Sequence, residues 1–111
     1  MRFSYFFKHL SGAQKEFIKE YVEKKALQSV RLLGDAEYLV EVKAEQFATK
    51  HAYRIEFIAS APHVRFIASE DDHTLQEAID LAWEKILHQA RKAHSKKLRK
   101  GKGREEKTEE R

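Results

Sequence analysis

Apolar and polar positions alternate with a period of two in four places along this 111-residue chain, and recur at helical spacing in two others. The first stretch sets Phe3, Tyr5 and Phe7 against Arg2, Ser4 and Phe6, which predicts a strand rich in aromatics. "EYLVEVKA" places Tyr38, Val40, Val42 and Ala44 on one face, "AYRIEFIAS" does the same with Tyr53, Ile55, Phe57 and Ala59, and "HVRFIAS" with Val64, Phe66 and Ala68. Glu41, Arg54, Glu56 and Arg65 fall on the opposite side, as an antiparallel sheet packed on one face requires. Ala61-Pro62-His63 separates the last two runs as a hairpin turn, since proline fixes φ and cannot donate to a ladder. "EQFATKH" reads as the looser connection before them.

Ser11 and Gln14 have the spacing of a capping box, so a helix is predicted to begin there. Phe17, Ile18, Tyr21, Val22, Leu32 and Leu33 continue its apolar pattern to a stop at Gly34, giving one long amphipathic helix of about five turns. "EDDHT" leads into a second helix, "LQEAIDLAWEKILHQARKAHSKK", with Leu75, Ile79, Ala82, Ile86, Ala90 and Ala93 on one face and Trp83 at its margin. Glu70, Asp71 and Asp72 read as an acidic loop feeding a helix N-terminus, where the macrodipole favours negative charge. The order is β-α-β-β-β-α. The expected class is α+β, a two-layer arrangement of a four-stranded sheet with two helices on one face.

Length and composition change this picture little: 41% apolar residues, with seven Phe, four Tyr and one Trp, suffice for one small core despite a mean hydropathy of −0.72. We expect a folded domain over residues 1–100 and a charged, disordered tail over 101–111. The chain has no cysteine, so a disulfide framework and a thiolate metal site are excluded and a reducing, cytoplasmic location is expected. The apolar run in "MRFSYFFKHL" is too short for a signal peptide's core, and no segment approaches the roughly 18 apolar residues of a membrane span.

Charge changes it more. The window from Lys85 to Arg104 contains nine Lys or Arg, two His and no acid, whereas residues 1–84 carry 11 basic and 14 acidic residues and the last seven carry two and four. The pI of about 9.3 is therefore made almost entirely by one segment. On a helix, Lys85, His88, Lys92, Lys96 and Arg99 share a flank away from the apolar face and form a basic ridge. Like charges at this spacing weaken an isolated helix, a cost tolerated where a polyanion supplies the counter-charge. The plainer reading is a solvated helix end that fades into the tail.

Other chemistry is poorly supported. His88 and His94 are six residues apart and diverge on a helix, there is no HExxH spacing, and no metal ion or other cofactor is expected. The chain contains no GxSxG and no nucleophile with a recognisable base, and Gly101 and Gly103 match no phosphate loop, so an enzyme is not expected. Trp83 and the Phe residues sit at packing periodicities rather than as a base-stacking platform.

Two motifs carry a resemblance to a known family: "EYVEKK" at Glu20 to Lys25, and "AIDLAWEKILHQARK" at Ala78 to Lys92. With the order of elements, they resemble the ribosome hibernation-promoting factors, also called ribosome-associated translation inhibitors or sigma-54 modulation proteins, over most of residues 1–96. The chain departs from the family in three places. Thr74-Leu75-Gln76 replaces the usual Asp-Met-Tyr, His88 replaces the Arg before Gln89, and "KHLSGAQKEF" leads into the first helix without the usual Thr. Long members carry a second, dimerisation domain, so this chain resembles the short form.

The resemblance implies a domain that binds the small ribosomal subunit near the decoding region and inhibits translation by occluding messenger and transfer RNA, as a monomer off the ribosome. The RNA-binding residues it implies are Lys24 and Lys25 from the first helix and Lys85, His88, Gln89, Arg91, Lys92 and Lys96 from the second, and the basic ridge adds Arg99. Lys25 could instead lie along the core by its stem, and Gln89 could be an ordinary helix-surface residue. Lys and Arg on a rigid helix meet phosphates whatever the sequence, so a general structured-RNA or RNA-chaperone module is the alternative, and a helix docking an acidic protein a third.

Overall fold

The computed structural model describes residues 1–34, 37–48 and 51–101, with side chains through His94. The tail from residue 102 onward, and the side chains of Lys96 and Arg99, lie outside the described residues. The elements run β1 (Arg2–Lys8), α1 (Gly12–Gln28), α2 (Val30–Leu33), β2 (Leu39–Gln46), β3 (Tyr53–Ala61), β4 (Val64–Asp72) and α3 (Leu75–Gly101).

The four strands form one sheet in the order β1-β2-β3-β4. β2, β3 and β4 pair antiparallel as their alternation requires, but β1 runs parallel to β2, with Phe3 opposite Val40 and Phe7 opposite Ala44. The sheet is therefore mixed rather than antiparallel throughout. A helical crossover between β1 and β2 accounts for this, because parallel neighbours need a long connection and α1 with α2 supplies it. β3 and β4 are joined by Pro62-His63, with Ala61 paired to Val64 and His63 at φ 71°.

The period-two pattern sends the expected residues inward. Val40, Val42, Ala44, Ile55, Phe57, Ala59, Phe66 and Ala68 are buried from the sheet; Ile18, Val22 and Ala26 meet them from α1, and Leu75, Ala78, Ile79, Ala82, Ile86 and Ala90 from α3. Both long helices thus cover one face. Trp83 is 2% exposed and sits edge-on to Phe57 at 5.2 Å between ring centres, so it belongs to the middle of the core and not to a margin. Burying Phe57 and Trp83 side by side contributes several kcal/mol, at about 3–5 kcal/mol for truncation of either to alanine.

The first helix is interrupted where an unbroken one was predicted. Its start is as read: Gln14 N donates to Ser11 Oγ at 3.1 Å and Ser11 N donates back to Gln14 Oε1 at 2.8 Å. It stops at Ser29, whose φ of −107° and ψ of 6° are not helical and whose hydroxyl donates to the Lys25 carbonyl at 2.7 Å. Trp83 Nε1 donates to that hydroxyl at 3.2 Å, so a tertiary partner from α3 holds the break. The short α2 then ends at Gly34, whose φ of 91° favours glycine, and the turn buries Leu33 while Leu32 stays 46% exposed.

The acidic segment before α3 also differs from its reading. Glu70, Asp71 and Asp72 are the last residues of β4, not a loop, because Arg54, Ile55 and Tyr53 of β3 extend the ladder to meet them. Asp71 pairs with Arg54 at 2.8 Å across the sheet. The helix is started instead by Thr74, whose Oγ1 accepts from Glu77 N at 3.1 Å.

Candidate RNA-binding surface

Two of the expected cations are already engaged inside the fold. Lys25, on α1, places its Nζ 2.9 Å from Asp80 Oδ1 of α3 and over the Tyr21 ring at 5.7 Å, with its side chain 30% exposed. Tyr21 donates to the same Asp80 oxygen at 2.6 Å. Partial burial raises the Asp80 pKa, but the Tyr21 and Lys25 hydrogen bonds and the ammonium charge outweigh it and leave the carboxyl below its ordinary value. Lys85, on α3, reaches sideways to β4: its Nζ lies 2.6 Å from Glu70 Oε2 and donates to the Ser69 carbonyl at 3.3 Å.

Gln89 is engaged too. Its Oε1 accepts from Ile67 N at 3.3 Å and its Nε2 donates to Ile67 O at 2.8 Å, so the amide lies along the outer edge of β4.

The remaining expected residues are exposed. Lys24 on α1, and His88, Arg91 and Lys92 on α3, make no side-chain hydrogen bond or ion pair among the described residues. α3 brings the last three together over little more than one turn, beside Ala90, the last fully buried side chain among the described residues. Lys24 stands apart on α1. Of these four, helical spacing pointed to His88 and Lys92 and the family resemblance to Lys24 and Arg91; neither pointed to Asp80 or Glu70, which take up two cations of the set. Asp80 could have been suspected from its position between apolar residues of an amphipathic helix. Glu70 could not, because its encounter with Lys85 depends on how α3 lies across β4.

The other side of the sheet has a different electrostatic character. Alternation with the buried positions puts Arg2, Lys8, Lys43, Arg54 and Arg65 there together with Glu41, Glu45, Glu56 and Asp71. Lys8, Glu45, Arg54 and Asp71 form one cross-strand row of alternating sign. Lys43 lies 4.0 Å from Glu56, and Phe6, 51% exposed, is the one aromatic that the strands present on this face. Charge there is cancelled locally, whereas Arg91 and Lys92 on α3 have no such partner among the described residues.

No helix of the described residues is long and apolar enough to cross a membrane, and no group of three or more His, Asp or Glu among them could hold a metal ion.

A mixed four-stranded sheet covered on one face by helices, the last of them basic, is the α+β fold of a class of ribosome-associated hibernation and subunit-interface proteins. The chain belongs to the sigma 54 modulation protein / S30EA ribosomal protein family, whose model matches residues 7–98. Among solved structures it is similar to the Thermus thermophilus Protein Y N-terminal domain, with 24% identity over 84% of this chain and 99% of that one and a TM-score of 0.68. It is also similar to a ribosomal subunit interface protein from Coxiella burnetii, with 16% identity over 88% of this chain and 98% of that one and a TM-score of 0.59. At these identities the likeness to each structure is one of fold. No curated protein matches the chain.

Proposed function

We propose that this protein binds the small ribosomal subunit near the decoding region, in the cytoplasm, and inhibits translation by occluding messenger and transfer RNA. Membership of the family supports a ribosomal partner. The single observation that carries the choice of surface is the contrast between the two sides of the domain. The outer sheet face balances its charges, while His88, Arg91 and Lys92 are exposed on α3 without a counter-ion among the described residues. Such a surface suits phosphate, whose recognition by Lys and Arg releases counterions and depends little on base sequence. In this reading Lys96 and Arg99 belong to the surface by their positions in the sequence of α3 and Lys24 adds a separate contact from α1, whereas Lys25, Lys85 and Gln89 support it from within the fold. A platform that stacks bases on the sheet is disfavoured, since Phe6 is the one exposed aromatic among the described strand residues of that face and Phe47, just beyond β2, lies against Arg54 at 5.4 Å.

Co-sedimentation with small subunits, large subunits and an unrelated structured RNA, at two salt concentrations, tests this. Stoichiometric binding to small subunits alone is expected. With about six phosphates engaged, affinity falls on the order of 10³-fold between 50 and 200 mM salt. Equal binding to all three targets would make the surface a general RNA-binding one, and a flat salt response would remove RNA as the partner.

A further inference from the structure

We infer that Gln89 is a positioning residue: its amide closes the outer edge of β4 and so sets the bearing at which the basic end of α3 leaves the sheet. β4 is an edge strand, and its outward N–H and C=O groups have no strand to pair with. Gln89 meets both such groups of Ile67, donating to the carbonyl at 2.8 Å and accepting from the amide at 3.3 Å, as a neighbouring strand's peptide would. One turn earlier, Lys85 donates to the carbonyl of Ser69 and pairs with Glu70.

The two fastenings fit because the spacings match. Four residues of helix rise about 6 Å and two residues of antiparallel strand about 6.8 Å, so 85 and 89 fall beside 69 and 67 as α3 runs back along β4. The next position in this register is Ala93, which has no polar group to offer. Among the described residues Gln89 is therefore the last polar tie along the β4 edge, one residue before Ala90, the last fully buried side chain described. Beyond it α3 continues to Gly101, a rise of about 18 Å, over which a tilt of about 10° moves the tip by about 3 Å. Arg91 and Lys92 stand at the base of that lever. The chemistry is specific to an amide, because a carboxylate lacks the donor and an ammonium lacks the acceptor.

The functional half of the inference rests on the proposed RNA surface, and Gln89→Lys separates positioning from direct binding. An RNA-binding side chain gains from the added charge; a positioning residue loses its acceptor. Expected for Gln89→Lys are faster amide exchange at Ile67, affinity for small subunits lower on the order of tenfold, and a salt slope shallower by about 0.9 for each phosphate no longer engaged. A variant that is destabilised but still folded, with α3 in place, would leave that slope unchanged. The cost of Gln89→Ala should also shrink in an Arg91→Ala, Lys92→Ala background, through which its effect is transmitted. Tighter or unchanged binding by Gln89→Lys, or strictly additive costs, would overturn the positioning role. If the parent protein sediments with no small subunits, the proposed function fails by itself. The orientation of α3 relative to the sheet, measured by residual dipolar couplings in parent and Gln89→Ala, then decides: a changed bearing supports the inference, and an unchanged one ends it.

Discussion

The Tyr21 hydroxyl and the Lys25 ammonium share one oxygen of Asp80, at 2.6 and 2.9 Å, and this three-residue junction ties α1 to α3 where their side chains meet above the core. Asp80→Ala should cost about 1 kcal/mol, since a charge-assisted hydrogen bond is removed but the group is partly solvated and its ion pair is screened. Chemical denaturation measures this. A cost near zero would mean that the two helices are spaced by the core alone.

The same junction predicts a pH dependence. Asp80 has a folded pKa below its ordinary value, so the stability it contributes is present above the unfolded value of about 3.9 and is lost as pH falls through the lower, folded one. Tyr21 is shifted the other way: its hydrogen bond to Asp80, then burial, raise its phenol above the ordinary value. Its contribution is present below about pH 10 and is lost as pH rises through the folded pKa. Stability of Asp80→Asn should therefore fall less steeply than that of the parent below about pH 4, and Tyr21→Phe less steeply above about pH 10. Denaturation midpoints across both ranges test the two arms separately.

Lysines on one ridge should behave differently when reversed. Lys85→Glu sets a second carboxylate beside Glu70 and removes a donor to Ser69, so a loss of about 1 kcal/mol in stability is expected with any loss of binding. Lys92→Glu touches no partner among the described residues and should leave the melting temperature within about a degree or two while weakening RNA binding. Equal melting temperatures for the two variants would show that the ties made by Lys85 carry no stability.

Ser29 joins the helix break to the core through its hydroxyl, which accepts from Trp83 Nε1 and donates to the Lys25 carbonyl. Ser29→Ala leaves the indole N–H without that partner in a site where Trp83 is almost wholly buried, at a cost of about 1–2 kcal/mol. Thermal unfolding followed by tryptophan fluorescence reports the loss directly, because Trp83 is the single tryptophan.

His63 occupies the second position of the β3–β4 turn with φ 71°, a conformation that is costly for L side chains. His63→Gly relieves about 1 kcal/mol of that strain and gives back part of it as unfolded-chain entropy, so a small net rise in melting temperature is expected. A fall would mean that the His63 side chain makes a stabilising contact in solution.

How far such features could be read in advance depends on whether they are local. The strands were legible because alternation at Val40–Ala44, Ile55–Ala59 and Phe66–Ala68 has only one arrangement that buries an apolar face, and the Ser11 cap was legible because it is completed within four residues. The break at Ser29 was not, since the pattern on either side of it is helical and the partner that stabilises it, Trp83, is 54 residues away. Trp83 was placed at a margin for the same reason: a helical wheel orders residues around one helix, and only the neighbouring helix and sheet decide which flank is covered.

The charged surface divides along the same line. By itself the sequence determined that basic residues gather toward the far end of the last helix, because no acid falls between Lys85 and Arg104. Which of them remain available was decided only by tertiary structure. Lys25 met Asp80 across two helices, Lys85 met Glu70 across a helix and a strand, and Gln89 found the backbone of Ile67. Those encounters depend on the bearing of α3 over the sheet, which comes from packing Trp83, Ile79 and Ile86 against Phe57 and its neighbours, and packing joins residues that no local period relates.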